Sequence, residues 1–209
     1  MKRIIFDLDN TLITWKDEYL KALDDALKFH KIEIETKKVD EIIENLEKKY
    51  EILTKETLLN DINNTHNLNL EMSFIDTLFE NQGLLAEYDE ELIDTIKYLY
   101  EKYDSIVLLS NYYKIVQEKR LETAHIKEYF EEIYGGDTNP LKPRKEAFIK
   151  AMGNYKPEEC IMIGDDLIND IKGAMDLGIK AIAVDHFDKI KVDKEYKVVK
   201  RLRELNQLL

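Results

Sequence analysis

The sequence predicts an α/β protein: a doubly wound, parallel-sheet (Rossmann-like) core carrying a small all-helical cap. Three observations lead there. Short apolar runs rich in β-branched residues recur along the chain with helical stretches between them, the rhythm of a parallel sheet covered on both faces. Residues from Trp15 to Tyr88 break that rhythm with helical patterns and no strong strand. Clusters of acidic, hydroxyl and amide side chains follow directly after three of the apolar runs.

The first run is Ile4–Phe6, closed by the polar Asp7-Leu8-Asp9-Asn10-Thr11. Helical patterns then appear at Tyr19–Phe29, Val39–Tyr50 and Phe74–Phe79, separated by the asparagine-rich stretch Asn60–Asn69. The core resumes near Glu90 with a helix to Glu101, a strand at Ile106–Leu109 and a helix at Ile115–Ala124. A helix at Lys145–Met152, a strand at Ile161–Ile163, a helix at Ile168–Leu177 stopped by Gly178, and a strand at Ala181–Val184 complete the pattern. Weaker strands are expected at Glu132–Tyr134 and Tyr196–Val199. The division is therefore residues 1–14 and 89–209 for the core and 15–88 for the helical cap.

Composition removes several function classes. A chain of 209 residues with 44% hydrophobic content buries a sizeable core. A formal net charge of −12 disfavours nucleic acid, whose binding depends on clustered lysine and arginine. No apolar run approaches the ~20 residues of a membrane helix, so no membrane span is expected. The opening Met1-Lys2-Arg3 meets Asp7 before a signal-like stretch develops, and the single Cys160 permits no internal disulfide. A cytoplasmic protein, monomer or homodimer, is expected.

In an open parallel sheet, ligands bind beyond the carboxyl ends of the strands, which gathers residues far apart in sequence. Asp7 and Asp9 follow the first run, Ser110-Asn111 the Ile106–Leu109 run, and Gly164-Asp165-Asp166…Asp170 the Ile161–Ile163 run. Carboxylates brought so close repel one another unless a cation joins them, and an all-oxygen set suits a hard ion such as Mg²⁺. A phosphate would find hydroxyls on Thr11 and Ser110, a positive charge on Lys142, and backbone N–H groups at a helix start near Asn111 or Tyr112. Pro143 is placed to open the following helix.

With these motifs in order, the sequence resembles the haloacid dehalogenase superfamily, in particular its phosphatases with a helical cap inserted after the first motif. The resemblance implies that Asp7 is the nucleophile that forms an aspartyl-phosphate and that Asp9 is the general acid and then the base. It implies that Thr11, Ser110, Asn111 and Lys142 hold the phosphoryl group. It also implies a Mg²⁺ site made by the Asp7 side chain, the Asp9 backbone carbonyl and Asp165, supported by Asp166 or Asp170. Asn10 stands where many relatives have glycine, and Asp166 where many have serine or threonine.

The expected function is Mg²⁺-dependent hydrolysis of a small phosphomonoester. A phosphomutase of the same superfamily and a catalytically silent phosphate-binding module are the alternatives. Cys160 is read as a packed thiol; His30, His66, His125 and His186 lack ligand spacing; Trp15, Tyr19, Tyr112 and Tyr113 are read as packing.

Overall fold

Alternation within the apolar runs decides the core. In the computed structural model, which describes residues 2–14, 17–87, 89–190 and 195–209, six strands form one parallel sheet among the described residues. They are β1 (Arg3–Phe6), β2 (Ser105–Leu109), β3 (Glu132–Tyr134), β4 (Cys160–Gly164), β5 (Lys180–Val184) and β6 (Lys197–Val199), in the order β3-β2-β1-β4-β5-β6. Successive side chains leave a strand on opposite faces. Ile4, Phe6, Ile106, Leu108, Ile161 and Ile163 pack into one apolar cluster, and Ile5, Val107, Leu109, Cys160 and Met162 into another on the opposite face. A sheet buried on both sides explains why these runs are continuous in sequence rather than alternating.

Helices α1 (Asp17–Phe29), α2 (Thr36–Lys49), α3 (Lys55–His66) and α4 (Met72–Gly83) lie between β1 and β2 and share a third cluster containing Leu23, Ile43, Leu58, Ile62 and Phe74. Trp15 and Tyr88, where the sequence places the ends of this insertion, lie outside the described residues. The cluster is not closed on itself. Tyr113, Val116 and Leu141 from the sheet-bearing part complete it, and backbone bonds from Leu53 N–H to Gly136 O (2.7 Å) and Leu141 N–H to Glu51 O (3.1 Å) join the two parts.

Helices α5 (Glu90–Lys102), α6 (Lys114–Thr123) and α7 (Lys145–Met152) flank the sheet, with Leu92, Ile96 and Leu121 on one face and Ala147, Phe148 and Ala151 on the other. The short α8 (Gly173–Met175) and α9 (Leu205–Leu208) follow later. No helix among the described residues is long and apolar enough to cross a membrane.

Two local expectations change, and the asparagine-rich stretch, which carried no assignment, gains one. Most of the asparagine-rich stretch is helical, because the Thr54 hydroxyl caps the Thr57 N–H at the start of α3 while Leu58 and Ile62 bury. Asn63 at its end also exchanges two hydrogen bonds with the Leu70 backbone. The helix expected at Ile168–Leu177 is a π-helical segment, Leu167–Lys172, running into α8. Asp166 O accepts the N–H groups of both Asp170 and Ile171 there, which widens the turn. Pro143 does not open α7, which starts at Lys145 with Arg144 as its N-cap.

Because the helical cluster includes residues of the sheet-bearing part, the two should unfold together. Phe74 is fully buried, so Phe74→Ala should cost about 3–5 kcal/mol. Urea unfolding followed by circular dichroism should show one transition at a lower midpoint; a separate early transition that leaves the sheet's midpoint unmoved would contradict shared packing.

Candidate active site

The strand order reverses direction at β1, with β2 on one side and β4 on the other, and such a switch point opens a crevice beyond the strand ends. Asp7 leaves the end of β1 and Asp165 the end of β4, on either side of it. After β1 the chain folds tightly, with the N–H groups of Thr11, Leu12 and Ile13 all donating to Leu8 O. Asn10 sits in that turn at φ 58°, a left-handed conformation that asparagine tolerates better than most residues after glycine. Its presence in place of glycine therefore costs the turn little.

The turn sends Asp7 and Asp9 in different directions. Asp7 is buried, and its Oδ1 accepts a hydrogen bond from Lys142 Nζ at 2.6 Å while its Oδ2 accepts one from Thr11 Oγ1 at 3.0 Å. Lys142 Nζ also donates to Asp170 Oδ1 at 2.6 Å. Thr11 Oγ1 lies 3.5 Å from Asp165 Oδ1. Asp7, Asp165 and Asp170 each offer a carboxylate oxygen, all within 4.8 Å of one another. Gly164 makes this possible, since a Cβ there would collide with the Asp170 side chain.

Three carboxylates share one ammonium. Burial raises the pKa of Asp7 and of Asp170, the Lys142 charge opposes the rise, and neighbouring carboxylates add to it. Asp165 is pushed up to about 7, chiefly by burial and then by repulsion from Asp7. Lys142 is held firmly protonated because its two carboxylate partners outweigh its burial. A divalent cation fits this group: the donors are all oxygen, their spacing is that of a shared ion, and two negative charges remain uncompensated.

Asp166 and Asp9 lie differently. The Asp166 carboxylate accepts from the N–H groups of Ile168 and Asn169, both at 2.8 Å, so it caps the π-helical segment, while the Asp166 N–H donates to Asp170 Oδ2 at 3.1 Å. The Asp9 side chain turns to α6, ion-paired with Arg120 and accepting from Gln117 Nε2 at 2.6 Å.

The remaining expected residues form the opposite wall. Ser110 Oγ is buried and accepts from the Tyr112 N–H at 3.1 Å and from Gln117 Nε2 at 2.7 Å. Asn111 braces the Lys142 loop, accepting the Lys142 N–H at 2.7 Å and donating to Lys142 O at 3.0 Å and to Glu47 Oε2 of α2 at 2.7 Å. The helix start expected near Asn111 or Tyr112 comes later. α6 begins at Lys114, whose N–H is taken by Asp137 Oδ1 at 2.7 Å, since Ser110 and Asn111 are committed to other backbone groups.

Gln117 and Arg120 are not apparent from the sequence as site residues. Their signal is weak: two polar residues three apart on a helix whose remaining inward positions are apolar. Both are buried, Gln117 links Asp9 to Ser110, and Arg120 also donates to Gln117 Oε1 and Leu85 O. Tyr19 and Tyr112, expected as packing, do pack edge to face and also join in a hydrogen bond of 3.1 Å. Cys160 is buried, with burial pushing its thiol up to about 11, as a packed thiol should be. A cavity of about 300 Å³ opens beside Asp9, bounded by α2, by Tyr19 and Gln82 of the helical unit, and by Asn111, Tyr112, Val116 and Arg120.

The sequence profile of the haloacid dehalogenase-like hydrolases matches residues 1–178. The chain is 35% identical over 100 residues to a glyceraldehyde 3-phosphate phosphatase of Pyrococcus furiosus, a match spanning 46% of this chain and 42% of that relative. It is 24% identical over 214 residues to phosphoglycolate phosphatase 1 of Pseudomonas aeruginosa, covering 97% of this chain and 77% of the other. The magnesium-bound HAD-hydrolase YfnB of Bacillus subtilis superposes with a TM-score of 0.78 at 19% identity over 99% of this chain and 97% of that one, a likeness of fold.

Three outcomes follow from this geometry. A cation needs Asp165 ionised, so its affinity should fall below the pKa of about 7; by calorimetry, binding at pH 5.5 should be roughly 20-fold weaker than at pH 7.5, with protons released. A raised carboxyl pKa means the folded state holds a proton that the unfolded state has lost, so without a cation stability should decline as pH rises from about 4 to about 7. Added cation should therefore raise Tm more at pH 7.5 than at pH 5.5. Gly164→Ala should displace Asp170 and weaken cation binding at least ~10-fold, since carboxylate placement sets affinity.

Proposed function

The chain belongs to the haloacid dehalogenase-like hydrolases, and from that premise we propose that it is a phosphatase, a Mg²⁺-dependent hydrolase of small phosphomonoesters acting through an aspartyl-phosphate. The observation that carries this reading is the division of labour within one turn. Asp7 faces Lys142, Asp165 and Asp170, whereas Asp9 faces the cavity. A nucleophile needs neutralised surroundings in which an incoming phosphoryl group is tolerated; an acid needs a place beside the leaving group.

Asp7 attacks phosphorus and the ester P–O bond breaks. The leaving oxygen takes a proton from Asp9, and the phosphoryl group remains on Asp7. Asp9, now ionised, removes a proton from the water that attacks the aspartyl-phosphate, so orthophosphate leaves and both residues return to their starting forms. Thr11, Ser110 and Lys142 supply donors to the phosphoryl oxygens. Asn111, with its amide engaged on both backbone groups of Lys142, serves this wall by holding Lys142 in place. Asp7, Asp165 and Asp170 would hold Mg²⁺, which when bound would supply charge neutralisation for the transferring group.

Arg120 and Gln117 hold the Asp9 carboxyl group in position at the cavity wall. The helical unit, residues 15–88, acts as the lid that excludes bulk water and favours small substrates.

Orthophosphate release from an aryl phosphate, with Mg²⁺ and with EDTA, tests the reaction; turnover by metal-stripped protein in EDTA would contradict it. Asp7→Asn should fold, since its shape is nearly unchanged, and lose turnover. Asp9→Asn should lose ~10²–10⁴ in rate on alkyl phosphates. With an aryl phosphate, whose leaving group needs little protonation, the first step is partly spared while hydrolysis still lacks its base. Mass spectrometry after rapid quench should then trap a phosphorylated Asp7. Loss of activity equal on both substrates, with no trapped intermediate, would give Asp9 a structural role instead.

A further inference from the structure

The loop that delivers Lys142 is held from two sides. On the sheet-bearing side Asn111 takes both backbone groups of Lys142, and the Gly136 N–H donates to Tyr112 O at 2.8 Å. A Cβ at position 136 would collide with Asn111 O and the Leu141 side chain, so glycine lets the loop lie this close. On the other side stand residues 51–54, which connect α2 to α3. Leu53 N–H donates to Gly136 O at 2.7 Å, Leu141 N–H donates to Glu51 O at 3.1 Å, and Tyr113 Oη donates to Thr54 O at 3.0 Å.

These contacts reach the lysine through the chain itself. Leu141 is 1% exposed and belongs, with Leu53, to the apolar cluster of the helical unit. Lys142 is the next residue, and its ammonium stands 2.6 Å from Asp7 Oδ1. Even the Asn111 grip has a partner in the helical unit, since the same amide nitrogen donates to Glu47 Oε2 of α2 at 2.7 Å. Were the helical unit to lift away, the Leu141 N–H would lose its acceptor and the Leu141 side chain its apolar surroundings in one step. A displacement of about 1 Å is enough to spoil a catalytic placement. Tyr113 is fully buried and lies outside the lining of the cavity beside Asp9, so its hydroxyl serves this junction rather than a ligand there.

Resting on the phosphatase reading above, we propose that residues 51–54 and Tyr113 form a clasp that positions Lys142, so that the ammonium is held at Asp7 only while the helical unit is docked on the 136–141 loop. Tyr113 is a positioning residue: it acts on the lysine through Thr54 O and the paired loop, without touching the phosphoryl group. The site for that group is completed by docking of the helical unit and does not stand ready without it. Opening of the clasp is a local event that releases the Leu53, Leu141 and Lys142 N–H groups together while the strands stay formed. Anything that binds at Lys142 therefore tightens the clasp, because it binds the clasped state alone.

Hydrogen exchange of the full chain, read at single amides by NMR, tests the clasp without any reaction. In metal-free protein the Leu53, Leu141 and Lys142 N–H groups should share one protection factor, lower than that of the β1 and β2 amides. Tyr113→Phe keeps the ring and removes the donor to Thr54 O, and should lower the protection of all three by the same roughly 3- to 10-fold, the value of one hydrogen bond. Leu53→Ala, which loosens the clasp from the helical side, should do the same by at least ~10-fold. The Lys142 N–H decides, because its own acceptor is Asn111 Oδ1. A Lys142 N–H that keeps its protection in both variants, or that exchanges only with the strands, would overturn the proposal. With Mg²⁺ and orthophosphate at ten times its dissociation constant, exchange of the Leu53 and Leu141 N–H groups should slow roughly 10-fold. Bound orthophosphate that leaves those two amides unmoved would overturn it as well. Failure of the unmodified chain both to bind orthophosphate and to hydrolyse an aryl phosphate would instead overturn the phosphatase reading, and the metal-free exchange pattern would still judge the clasp.

Discussion

Lys142 bridges Asp7 and Asp170, its ammonium 2.6 Å from an oxygen of each, and the rest of the site is arranged around that contact. Without it, three carboxylates at the end of a buried sheet would lose the ammonium that offsets their repulsion. The bridge needs a lysine that cannot swing away, which is what Asn111 provides by gripping the Lys142 backbone through both its donor and its acceptor. It needs an aspartate that can come close to β4, which Gly164 permits. With all three carboxylates ionised, one ammonium leaves the cluster short of neutrality, and the close spacing of their oxygens suits a further cation.

The core was legible in the sequence because its physics is one-dimensional. Every run of β-branched residues has to be a strand if both faces are covered, and the site follows from strand ends alone. Strands β1, β2, β4 and β5 therefore appear where the runs are, within one or two residues. Periodicity was a poorer guide where local polar groups decide the backbone. Asn60–Asn69 carries no assignment by composition, yet the Thr54 cap and the burial of Leu58 and Ile62 make most of it helix. Asp166 and Asp170 could not be told apart by spacing. Their difference is one of backbone shape, since a π-turn gives the Asp166 carboxylate two N–H groups to cap and brings Asp170 onto Lys142.

What the sequence concealed most was the part α6 plays in the site, although the helix itself was expected at Ile115–Ala124. Gln117 and Arg120 are ordinary polar residues at helical spacing, and a polar pair on a helix is usually solvated. Only the fold reveals that this turn of α6 lies behind Asp9 and Ser110, where both residues are buried and hydrogen-bonded. The same holds for Gln82 and Glu47, which reach the site from the helical unit and belong to no motif.

Gln117 also makes the two halves of the site interdependent. Its single amide nitrogen donates to Asp9 Oδ2 and to Ser110 Oγ, so a shift of either partner is felt by the other. Arg120 extends the link to the Leu85 carbonyl, in the segment that returns from the helical unit to α5. Movement of that segment would thus reach Asp9 through one guanidinium. A covering unit that only excluded water would need no such connection. Here Arg120, which holds the proposed acid, also lines the cavity beside it and ties down the connection to the helical unit. On the phosphatase reading proposed above, closure over a substrate and placement of its proton donor would run through this one chain of contacts.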